Sequence, residues 1–185
     1  LGSFEPGNEF QLVISGLSDC TGNPLPSDAI IFTIGYEAEP GDIIITEIMA
    51  DPDPSIGAPG AEYIELYNKS DKLIDLSTLL VNSGTFTEQV LMSPGEYLLV
   101  GDNGDAVFFF TINNKALMEG FPGLTNTGAL ITLKNVDNLV IDEVNYADSW
   151  YGDATKDEGG WALELINPLD PCSTSDNWTA SNAST

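Results

Sequence analysis

The feature that most constrains this chain is its rhythm: short apolar runs, several alternating with period two, each cut off by glycine or proline. The runs fall at 10–15, 30–34, 43–49, 62–68, 79–81, 85–92, 96–100, 129–134, 139–146 and 161–166, and they are rich in Val, Ile, Leu, Phe and Tyr. Turn chemistry separates them: GNP at 22–24, EPGD at 39–42, SPGE at 93–96 and FPG at 121–123. No 12-residue window carries a helical stripe. A single helical turn is expected at 106–110, behind Asp105 as its N-cap. Many short strands with Gly/Pro turns predict an all-β sandwich.

Charge excludes several functions. Five Lys and Arg stand against 29 Asp and Glu, a net charge of −24, with no histidine. Five dispersed cations cannot neutralise a phosphate backbone, so nucleic acid is excluded as a partner. An anionic membrane surface repels such a chain, and no run of about 18 apolar residues exists to insert into one. Chemistry that needs imidazole is absent. The apolar share of 42% is that of a globular chain.

The first ten residues have neither the basic n-region nor the apolar h-region of a signal peptide. The opening Leu1-Gly2-Ser3 and the polar tail NWTASNAST read as cut edges, so an excised piece of a longer polypeptide is expected. The two cysteines, Cys20 and Cys172, fit no zinc motif and no CxxC pair. A Cys20–Cys172 disulfide in an exported protein and two unrelated thiols both remain open. The high content of Asp, Asn, Gly, Ser and Thr favours an extracellular or cell-surface setting.

An acidic, turn-rich boundary, YEAEPGD, separates two groups of strands. The expected organisation is a fragment at 1–36, a linker at 37–41 and a complete sandwich at 42–185. Two strands cannot bury a core, so the first 36 residues should form a β-hairpin belonging to a larger unit.

Residues 43–82, IIITEIMADPDPSIGAPGAEYIELYNKSDKLIDLSTLLVN, resemble the lamin tail domain as it occurs in secreted bacterial proteins. SPGEYLLVGDN at 93–103, GLTNTGALITLKNVDNLVIDEVNYADSWYGD at 123–153 and GGWALELINPLDPCSTSDNWTAS at 159–181 fit the same scheme in order, so the resemblance covers about residues 42–181. Thr78-Leu79 replaces the family's usual Gly-Trp. The resemblance implies an immunoglobulin-like β-sandwich. Residues 8–35 resemble the last hairpin of a bacterial Ig-like surface domain. Together these imply a non-catalytic binding or structural module in an exported multidomain surface protein, with a protein or glycan partner and neighbouring domains of the same polypeptide. An accessory domain that positions a neighbouring hydrolase or nuclease is the alternative.

Three groups of residues are candidates for chemistry. Asp51, Asp53 and Glu62 echo the oxygen spacing of an EF-hand loop and would take calcium; no other cofactor is required. The echo is incomplete, because Ile56 stands where that loop needs glycine and two prolines stiffen the turn. Tyr63, Glu65 and Tyr67 share one strand face by period two and form a candidate ligand surface, with sugar stacking set against plain packing. Glu47 and Glu65, inside ITEIM and YIELY, invite comparison with paired glycosidase carboxylates. A chain of barely one sandwich offers no deep cleft, so no enzyme is expected. The turn Asp102-Asn103-Gly104-Asp105 is expected to bond its own backbone.

Overall fold

In the computed structural model, residues 3–56, 59–170 and 174–182 are described. The chain divides into two compact units, Leu1–Tyr36 and Glu37–Thr185.

The first unit is one antiparallel hairpin. Strand β1 (Glu9–Ile14) pairs with β2 (Asp28–Thr33), placing Phe10 opposite Phe32 and Leu12 opposite Ile30. Phe4, Phe10 and Phe32 cluster, Phe4 meeting the other two edge to face, with Phe4 and Phe10 centroids 4.8 Å apart. Beyond this cluster the apolar residues stay open: Leu12, Val13, Ile30 and Ile31 are all more than half exposed. The connecting loop is organised by Asp19, whose carboxylate accepts from Thr21 and Asn23 backbone and side chains. Those bonds, led by the Asn23 side chain, hold it well below the usual carboxylate range.

The second unit is all-β. Its strands are β3 (Ile43–Met49), β4 (Tyr63–Asn68), β5 (Ile74–Asp75), β6 (Leu79–Val81), β7 (Gly84–Phe86), β8 (Leu91–Met92), β9 (Tyr97–Asp102), β10 (Lys115–Glu119), β11 (Gly128–Asn135), β12 (Val140–Ala147), β13 (Leu163–Leu165) and β14 (Trp178–Ala180). Ten of them follow the order β12-β11-β6-β7-β10-β9-β4-β3-β13-β14, and β5 pairs with β8. This long sheet folds back on itself as an immunoglobulin-like β-sandwich. Where it returns, Asp142 of β12 reaches β3, its carboxylate accepting from the Ile45 backbone N–H at 2.8 Å. The Gly41 N–H donates to the Ile141 carbonyl beside it.

The core follows from alternation. Ile64 and Leu66 of β4, Leu98 and Val100 of β9, Ile131 and Leu133 of β11, and Val144 and Tyr146 of β12 all point inward. Strand β3 would break this pattern if it were regular, because Glu47 continues the series Ile43, Ile45. A register shift between Ile45 and Glu47 changes the phase, so Ile48 and Ala50 join the core instead. The bulge turns Glu47 outward.

The structure corrects several expectations. The run 85–92 is two strands, β7 and β8, which belong to different sheets and are separated by a bend at Thr87 and Glu88. The helical turn is a 3-10 segment, Asn103–Phe109, capped by Asp102 rather than Asp105: the Asp102 side chain accepts from the Gly104 N–H at 2.7 Å. Strands β5, β10 and β14 were not expected. KALME in β10 is made of good helix formers, and its two neighbouring strands override that propensity.

Candidate binding face

Strand β4 sends Ile64 and Leu66 to the main core, so Tyr63, Glu65 and Tyr67 lie on the outer face. The structure treats the three differently. Tyr63 is only 2% exposed; it packs with Met49, Ala61, Phe109 and Ala162 in a second small core. Phe109 closes that end of the face by lying over Gly101, where any Cβ would come within 2.5 Å of its ring. Tyr63 therefore offers no ring to a ligand, a correction to the expected row. Its hydroxyl donates to Glu47 at 2.6 Å instead.

The open part of the face begins at Glu65. Tyr67 stands opposite Tyr97 in the β4–β9 register, and the two rings stack with centroids 4.4 Å apart and an interplanar angle of 30°. Tyr97 is 45% exposed. Beside the pair lies a cavity of about 180 Å³, lined by Thr46, Glu47, Glu65, Tyr97 and Glu164 among others. The three glutamates form a cross-strand row, Glu65 opposite Glu47 and Glu47 opposite Glu164. Thr46 Oγ1 donates to Glu65 at 2.8 Å. Among the described residues no ion pair reaches the row; Lys72 instead binds Glu39 and Asp42.

Burial and repulsion push Glu47 and Glu65 up. Glu47 rises to about 7, mainly by burial, with the Tyr63 hydrogen bond opposing and Glu65 and Glu164 adding. Glu65 is raised by burial and by Glu164, against the Thr46 bond. Sequence reasoning found Glu47, Glu65 and Tyr67 but missed Tyr97 and Glu164. The signal for Glu164 was present: ALELI repeats the apolar–acid–apolar pattern of ITEIM and YIELY.

The acidic loop is held differently. Asp51 accepts from Asn126 Nδ2 at 2.5 Å, and Glu62 accepts from the Leu124 N–H at 2.7 Å. Burial raises Glu62, and Asp105 and Asp51 add to the rise, so those charges lie near one another. The Asp53 carbonyl packs on Gly159, whose φ of +106° and missing Cβ both belong to the contact: a Cβ there would sit 2.1 Å from that oxygen. Among the described residues no three acidic or thiol side chains converge as a cation site. Cys20 is exposed; Cys172 lies outside the described residues, and with it the expected pairing.

An all-β chain with a packed interior and a shallow, acidic and aromatic outer face defines a module of the immunoglobulin-like class. The Lamin Tail Domain family matches residues 37–148, and the chain belongs to that family, whose fold is typically non-enzymatic. No curated protein and no solved structure matches it.

Proposed function

We propose that this domain is a binding module of an exported, multidomain surface protein and engages a protein or glycan partner through the face around Tyr67 and Tyr97. The observation that carries this reading is the stacked tyrosine pair beside an acidic cavity. A stacked cross-strand pair stabilises a sheet by itself, but the row of like charges beside it costs stability, and that cost is what points to a use. Carboxylates that accept sugar hydroxyls, next to a ring that stacks on a sugar face, suit a glycan. The acidic composition supports an extracellular setting.

A glycan array probed with the full chain and with Tyr97→Ala and Tyr67→Ala tests the face. Binding that both substitutions abolish, with unchanged melting temperature, supports it. Binding that survives both places the partner elsewhere.

Calcium at Asp51, Asp53 and Glu62 is a second proposal: the Asp51 charge acts on Glu62, and because the three carboxylates do not converge as they stand, a cation would have to draw them together. An exported chain also implies oxidised cysteines: thiol counting on the denatured, non-reduced monomer should find none free if Cys20 and Cys172 are joined, and two if they are not.

A further inference from the structure

Strand β10 is paired unequally on its two edges. Against β9 it runs parallel from Lys115 to Met118. Against β7 the ladder holds only Met118 and Glu119, opposite Phe86 and Thr85. Beyond Phe86 the chain bends away at Thr87 and Glu88 and goes on to β8, which pairs with β5. A groove of about 540 Å³ opens where β7 leaves, with residues 87–90 on one wall and Lys115, Ala116 and Leu117 on the other.

The backbone of β10 faces this groove. Successive strand residues direct their N–H and C=O groups to opposite edges. The Leu99 N–H donates to the Asn114 carbonyl at 3.1 Å, so Asn114 and Ala116 address β9. Lys115 and the Leu117 N–H then address the groove, past the Met118–Phe86 pair at which the Leu117 carbonyl meets the end of the β7 ladder, and no strand among the described residues pairs with them there. An unpaired edge beside a walled groove has the geometry that accepts an added strand.

We propose that this groove binds an extended segment of a partner protein, which continues the line of β7 and pairs antiparallel with Lys115–Leu117. The ligand class follows from the groups on offer. Alternating backbone donors and acceptors are matched by another polypeptide, whereas no aromatic ring lines the groove to stack on a sugar. Val90 and Ala116, on the side of the main core, take apolar side chains on one face of the incoming strand, and Leu117 lies on the other face. Within the groove Lys115 offsets Glu88, so the preference for neutral or basic side chains comes from the net charge of −24, which also opposes a second copy of this chain. The groove shares no lining residue with the cavity beside Tyr97, so the proposal stands apart from the reading of that face.

Amide hydrogen exchange on the full chain tests it. The probe is a capped hexapeptide of alternating valine and lysine; the control is the same peptide N-methylated at alternate amides. In the free chain the Lys115 and Leu117 amides should exchange at least about tenfold faster than those of Ala116 and Met118. Millimolar probe should slow them, the N-methylated control should not, and Thr87→Trp, which fills the groove, should abolish the slowing. If Thr87→Trp lowers the melting temperature, the N-methylated control alone decides. Four results overturn the proposal: equal protection of all four amides in the free chain, protection that grows with protein concentration and so reports a second copy, equal action of both peptides, or no action by either.

Discussion

Glu47 faces Glu65 directly across the β3–β4 ladder, with Tyr63 donating to the Glu47 carboxylate and Glu164 opposite it on the other side. Like charges placed opposite one another destabilise a sheet. The arrangement is relieved by a proton, because the Tyr63 hydroxyl bonds to either form of the acid while the neighbours repel only the charged one.

The first prediction is that mild acid stabilises the domain. Glu47 rises from 4.5 to about 7 on folding, so the folded state holds an extra proton between those values. The sign follows: its contribution is fully present below pH 4.5 and is lost as pH rises through about 7. The size is about 3 kcal/mol. Melting temperature at constant ionic strength should fall from pH 5 to pH 8, and Glu47→Gln should flatten that fall and raise the pH 8 value. A wild-type curve that is flat or rising over this interval contradicts the assignment.

Asp142 gives a second prediction. Burial lifts its carboxyl to about 6, although the Ile45 and Glu143 N–H groups bond to it. Asp142→Asn keeps an acceptor for Ile45 and removes a buried charge, so it should be neutral or stabilising at pH 8. Asp142→Ala strands the Ile45 N–H and should cost about 1–3 kcal/mol in chemical unfolding. Equal losses from both variants would mean that the acceptor is not what matters.

Gly159→Ala is predicted to destabilise by more than about 1 kcal/mol, since it combines a positive φ with a collision against the Asp53 carbonyl. Gly123→Ala, where a Cβ meets nothing within 4 Å, serves as the control and should change stability by only a few tenths of a kcal/mol. Comparable effects at the two sites would reject the contact.

Calcium should raise the melting temperature beyond an equal ionic strength of sodium chloride, by mass action on the folded state. The double variant Asp51→Asn with Asp53→Asn should remove the excess. Screening alone stabilises so acidic a chain, which is why sodium is the reference. No excess over sodium ends the metal proposal.

How far the sequence reached depends on the kind of signal. Strands β3 and β6 are found at the expected bounds, because their apolar runs are long or end in clear turns. Strand β10 was hidden, since KALME has helical preferences and becomes a strand only between β7 and β9. The break between β7 and β8 was also hidden: TFTEQVLM reads as one alternating run, and only the competing partners β10 and β5 divide it. On the outer face, alternation identified Tyr63, Glu65 and Tyr67 as neighbours. It did not show that Phe109, more than forty residues later, would cover Tyr63, or that Tyr97 would stack on Tyr67. Those are long-range contacts, set by which strand lies next to which.

The link from Asp142 to Ile45 has a mechanical consequence. β12 is stitched to β11 along seven register positions, whereas it is fastened to β3 by a carboxylate and one neighbouring amide–carbonyl bond. Tension that draws β12 away from β3 falls on those two bonds, while the β11–β12 ladder shares its load over many. Of the hydrogen bonds that hold β12, those toward β3 are therefore the ones expected to yield before the ladder, with Ile141 and Val144 still anchored by the core. One of these two bonds comes from a side chain, so a change at Asp142 alone alters the force at which this seam opens and leaves every ladder intact.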